Sequence, residues 1–119
     1  MRQNYIELNE NDTIVTMSIE EMTAEIDFAT IRNLYLTPLE ALIYAVIRKY
    51  ASDDENGHKY LKVVVSDFLL AFRMNDIQEI NVAIQRLIEK RLIVEGQSMS
   101  QLFESRDGEF ISLYSCVTL

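Results

Sequence analysis

Two stretches decide the fold: LTPLEALIYAVIRKY at 36–50 and KYLKVVVSDFLLAFRMNDIQEINVAIQRLIEKRLIVEG at 59–96. In the first, Thr37, Pro38 and Glu40 make a helix start: a hydroxyl cap, a proline whose missing donor is harmless at the first helical position, and a carboxylate that closes a capping box. Leu39, Leu42, Ile43, Val46, Ile47 and Tyr50 then follow at core-helix spacing, ending near Ala51. In the second, Tyr60 to Val65 is β-rich, Ser66 is the expected cap of a short helix with Asp67 in its first turn, and Phe68, Leu69 and Phe72 face inward. After a tight turn at Arg73 and Met74, Asn75 is the expected cap of a third helix. Its apolar positions, Ile77, Ile80, Ala83, Ile84, Leu87 and Ile88, keep helical spacing to about Lys90.

Two helices joined by so short a turn must cross steeply, as in a helix-turn-helix unit. Leu92 begins a strand, Gly96 marks a bend, the Asp107-Gly108 pair signals a hairpin turn, and Phe110 to Val117 alternates as a returning strand. Residues 52–57 are expected to form an exposed loop, since charges, amides and a glycine gain nothing from burial.

Upstream, Tyr5 to Leu8, the turn formers Asn9 to Asp12, and Thr13 to Met17 read as a short hairpin. Ser18 and Glu21 match a capping box, with Ile19, Met22 and Ile26 on one face of the helix expected to follow. The expected organisation is an N-terminal extension, 1–36, and one domain, 37–119.

The 119 residues suffice for one core without disulfides or metal, and 49% hydrophobic with 25% charged residues is a globular composition. No apolar run approaches a membrane span and no signal-peptide core is present, so a cytosolic protein is expected. Cys116, the single cysteine, lies in an alternating apolar run and reads as a buried thiol. His58 stands in a polar loop without a second histidine. That is too few ligands for zinc, and nothing there could activate a nucleophile. The three glycines are single turn residues rather than a phosphate loop. Neither an enzyme nor a cofactor, metal or small-molecule substrate is expected. Of the net charge of −8, residues 1–36 hold seven acidic groups against two basic, and residues 37–95 are nearly balanced with nine against eight. No segment carries the basic stripe typical of phosphate binders.

The run from Ser66 to Gly96 resembles the winged helix-turn-helix domains of bacterial, phage and plasmid DNA-binding proteins, including replication initiators and replisome organisers. Phe68 and Phe72 match the apolar positions of the first helix, Asn75 the cap of the recognition helix, Ile80, Ala83, Ile84 and Leu87 its core positions, and Leu92 and Ile93 the following strand. The resemblance covers about 37–117. It implies an α+β fold, mainly α, with a C-terminal β-hairpin wing and the N-terminal β-hairpin and helix as an extension. Arg73 and Arg91 stand where the family has glycines. If the backbone is left-handed there, each costs on the order of 1 kcal/mol. Glu79 replaces a small hydroxyl residue that lies beside the phosphate.

On this resemblance the candidate DNA contacts are Asn75, Gln78, Asn81, Gln85 and Arg86 on the recognition helix, with Arg73, Lys62 and, near the wing tip, Arg106. Asparagine and glutamine pair with adenine, arginine with guanine or phosphate. Asp76 and Glu79 oppose phosphate approach, and the same amides and acids also suit a solvated helix face. The leading expectation is a regulatory or replication-associated DNA-binding protein of a phage, plasmid or other mobile element, acting as a homodimer. The alternative is an acidic winged-helix inhibitor or adaptor for a basic protein partner. Tyr5, Ile14, Val15, Met17, Phe28, Tyr35, Phe103, Phe110 and Tyr114 exceed what a minimal domain of this kind needs. They are expected either to complete the core or to build an interface.

Overall fold

The structure, a computed structural model, describes residues 5–8, 10–54, 57–97 and 111–117. Its elements run β1 (Tyr5–Glu7), β2 (Thr13–Val15), a 3-10 turn (Ile19–Glu21), α1 (Phe28–Asn33), α2 (Pro38–Tyr50), β3 (Asp53–Asp54), β4 (Gly57–Val64), α3 (Val65–Phe72), α4 (Ile77–Glu89), β5 (Ile93–Gln97) and β6 (Ile111–Cys116). The α+β class holds, but strand content is substantial rather than minor. The main sheet has the order β1-β5-β6-β4-β2.

Its centre is antiparallel: β6 pairs with β5 through Ile93 and Cys116 and with β4 through Leu61 and Tyr114. The alternation of these strands gives the sheet two faces. Leu61, Val63, Ile93, Tyr114 and Cys116 join the core cluster with Ile43, Tyr44 and Ile47 of α2, Phe68 of α3, and Ile80, Ile84 and Leu87 of α4. Tyr60, Lys62, Leu113 and Ser115, one residue out of step with these, belong to the opposite face.

The expected N-terminal hairpin does not form. β1 pairs parallel with β5, and β2 pairs parallel with β4, at opposite edges of the sheet. A hairpin would leave both edges with unpaired backbone donors and acceptors, whereas separated strands cover each of them. The five residues between β1 and β2 are enough to cross four strand spacings of about 4.8 Å. Ile19 and Leu36 also enter the core, so this part of the N-terminal region packs on its own chain.

Nor does the helix expected from Ser18 continue. Ser18 makes no side-chain cap bond, and one 3-10 turn is followed by extended chain. The end of α2 takes over the backbone groups a helix would have used. Tyr50 Oη accepts from Thr23 N at 2.9 Å and donates to Thr23 O, Lys49 Nζ donates to Thr23 Oγ1, and Arg48 donates to Glu25 O. Helix resumes at α1, where Asp27 accepts from Thr30 N at 2.7 Å.

Three further boundaries differ. Asp53 and Asp54 pair with His58 and Gly57 in a small hairpin where a plain loop was expected. β4 runs directly into α3, so the helix starts at Val65 behind an uncapped Val64 and Ser66 falls inside its first turn. Asp76, not Asn75, caps α4, accepting from Gln78 N at 2.9 Å. On α2 the capping box at Thr37 and Glu40 is complete, but Leu42 is 49% exposed and Tyr44 takes its place in the core.

Tyr35, Arg73 and Arg91 have φ of 55°, 55° and 61°, each just past a helix end. The same hydrogen-bond pair recurs at all three: Leu36 N to Ile31 O with Tyr35 N to Arg32 O, Met74 N to Leu69 O with Arg73 N to Leu70 O, and Leu92 N to Leu87 O with Arg91 N to Ile88 O. This is the Schellman pattern. The two residues that close each outer bond are apolar, and their clustering offsets the left-handed backbone that glycine would adopt freely.

Candidate nucleic-acid interface

One side of α4 is core: Ile80, Ala83, Ile84 and Leu87 are buried. The residues opposite, Gln78, Asn81, Val82, Gln85, Arg86 and Glu89, are exposed. At 100° per residue Gln78, Val82 and Gln85 point almost directly away from the core. The side chains of Gln78, Asn81, Gln85 and Arg86 make no hydrogen bond or ion pair within the described residues. Together with Val82 they border one open groove along the helix.

The start of α4 is fixed by Asp76, its end by Lys90. Lys90 Nζ lies 3.0 Å from Glu40 Oε1 and 2.6 Å from Tyr35 O, tying α4 to the α1–α2 turn and to the start of α2. Glu40 is 1% exposed. Burial pushes its carboxyl up, but the Lys90 ammonium and the hydrogen bonds at Thr37 outweigh that and hold it below the ordinary value. The pair neutralises both charges, so Lys90 brings little positive potential to the face.

The other candidates lie apart. Asn75 is exposed just ahead of the Asp76 cap. Arg73 is exposed but borders a different groove, with Glu20, Met22 and Leu70. Lys62 is half-buried opposite Leu113, on the sheet face away from the helices and therefore separated from the α4 surface. Arg106, the Asp107-Gly108 turn, Phe103 and Phe110 lie outside the described residues. Asp76 and Glu79 flank a second groove between α4 and the start of α2, with Gln78 and Arg86 on its rim.

Of the extra apolar residues, Tyr114 is core and Val15 is half-buried. Phe28 and Tyr35 are 89% and 85% exposed, and Ile14 and Met17 are also exposed. The side chain of Tyr5 lies outside the description. Cys116 is a buried thiol 3.9 Å from Tyr44 Oη. Among the described residues no group of three or more His, Cys, Asp or Glu is placed to hold a metal ion, and no helix is long and apolar enough to cross a membrane.

The Glu40–Lys90 contact is the feature of this candidate surface that residue spacing does not reveal, since the partners are 50 positions apart. The only trace in the sequence is the acidic third position of the α2 capping box. No protein-family model, curated protein or solved structure matches the chain.

Proposed function

We propose that this protein is a winged helix-turn-helix DNA-binding module whose recognition helix is α4. The order α2-β4-α3-α4-β5-β6, with β4, β6 and β5 adjacent and antiparallel, is consistent with that architecture. The observation that carries the functional reading is the outer face of α4, where Gln78, Asn81, Gln85 and Arg86 are exposed and have no partner within the described residues. Asparagine, glutamine and arginine are the side chains that pair bidentately with purine edges in the major groove. Arg73 and Asn75, at the turn, are suited to the phosphates beside that groove.

The resemblance to phage and plasmid proteins supports a cytosolic regulatory or replication-associated role. On this reading the protein acts as a dimer, which compensates for charge: Asp76 and Glu79 weaken each contact with phosphate, and two linked recognition helices gain by effective concentration what one lacks. Titration of fluorescein-labelled random duplex by anisotropy, at about 50 and 200 mM salt, tests the reading. Saturable binding that weakens as salt rises is the expected result; no binding at tens of micromolar protein rejects it.

A second reading draws on Phe28 and Tyr35, two large side chains left 89% and 85% exposed. On that reading the chain is an acidic adaptor or inhibitor docking on a basic protein through the surface near α1.

A further inference from the structure

We infer, resting on the reading of α4 as a recognition helix, that the target is A·T-rich duplex read through base edges and thymine methyl groups rather than through charge. Gln78, Asn81, Val82 and Gln85 stand at i, i+3, i+4 and i+7, exposed, along one groove. The seven steps of helix from Gln78 to Gln85 cover about 10.5 Å, the length of about three base pairs. Three of the four side chains are amides, which match the N7 acceptor and N6 donor of adenine. The fourth, Val82, is 50% exposed at the centre of the set. An aliphatic side chain there has one apolar partner in the major groove, the C5-methyl of thymine, and a G·C pair offers none.

Arg86 is the single side chain on this face that favours guanine, and it sits at the edge beside the acidic groove holding Asp76 and Glu79. Glu89 lies on the same face one turn beyond Gln85 and ends the stripe, because its carboxylate opposes phosphate approach there. With Lys90 neutralised by Glu40, discrimination falls to the amides and Val82.

The test uses the full chain and three fluorescein-labelled 20-base-pair pools: random A·T sequence, random G·C sequence, and the A·T pool with deoxyuridine in place of thymidine. Deoxyuridine keeps every hydrogen-bonding group and lacks only the C5-methyl. The wild type should bind the A·T pool about tenfold or more tighter than the G·C pool. Removing the methyl should weaken binding about fourfold, the effect of one buried carbon. Val82→Ala, checked for folding by circular dichroism, should lose affinity for the thymidine pool and little for the deoxyuridine pool, while Gln85→Ala should weaken both. Equal binding to A·T and G·C pools, or indifference to the methyl group, overturns the inference and leaves the DNA reading intact. Failure to bind any pool overturns both.

Discussion

Lys90 Nζ reaches Glu40 Oε1 at 3.0 Å across 50 residues of sequence, and the carboxylate it meets is all but sealed from solvent. The same ammonium donates to Tyr35 O at 2.6 Å, so one side chain holds the end of α4, the start of α2 and the turn after α1. Replacing Lys90 with Met strands a buried charge. Because the Lys90 side chain is 32% exposed, water relieves part of the penalty, and a loss of about 2–3 kcal/mol is expected in urea unfolding. Glu40→Gln, which leaves no buried charge, should cost less.

The pH profile separates two glutamates. Glu40 has a folded pKa below its ordinary 4.5, so its contribution is complete above that value and is lost as pH falls through the lower folded value. Glu95 is the reverse: burial raises it, and the hydrogen bond from Ser112 does not compensate. It favours the folded state below pH 4.5, and that advantage is lost as pH rises through the raised value. Glu95→Gln should therefore be more stable than the wild type at pH 7, with the difference gone below the ordinary 4.5.

Burial pushes the Tyr114 phenol up to about 12 from its ordinary 10.0, so stability should decline as pH rises through that interval. Thermal melts followed by circular dichroism between pH 9 and 12 check the alkaline limb. A Tyr114→Phe variant should show a shallower decline.

Arg73 and Arg91 occupy left-handed backbone that glycine adopts without strain. Arg73→Gly and Arg91→Gly should each gain about 0.5–1 kcal/mol in chemical denaturation. A gain in stability at Arg73 accompanied by weaker DNA binding would mean that arginine is kept there for phosphate contact. A gain with unchanged affinity would remove Arg73 from the interface.

A side chain at Gly96 would place its Cβ 2.5 Å from Tyr60 Cε1, and Tyr60 is fully buried. Gly96→Ala should cost about 1–3 kcal/mol, because the ring has no space into which to move. Differential scanning calorimetry would show the lowered Tm.

Phe28 and Tyr35 carry no such packing load. Phe28→Ser and Tyr35→Ser should change the stability of the monomer by less than about 0.5 kcal/mol. If they form an interface between copies, sedimentation velocity will show the wild-type dimer dissociating in the double variant. Unchanged sedimentation would leave them to a different partner.

Much of the helical architecture was legible because its causes are local. Thr37 and Glu40 satisfy each other's backbone donors within one turn, and the apolar periods of α2 and α4 recur every three or four residues. The exposed amides of α4 followed from the same period, since the face opposite an apolar stripe is solvent. The left-handed turns at Arg73 and Arg91 were legible only as a condition, through the glycines of the resembled pattern, and the one at Tyr35 was not legible at all, because nothing local to its sequence marks it.

What only the tertiary structure decided depends on partners distant in sequence. The spacing of Tyr5, Ile14 and Val15 is as good for a hairpin as for two separate edge strands; unpaired edges of β4 and β5 select the second. The helix expected from Ser18 gave way because Arg48, Lys49 and Tyr50 satisfy residues 23–25 from outside. Lys62 and Gln78 read alike as polar contacts. The sheet, one layer thick, puts them on opposite sides, since successive strand residues alternate faces and the described helices pack on the face that carries Leu61 and Tyr114.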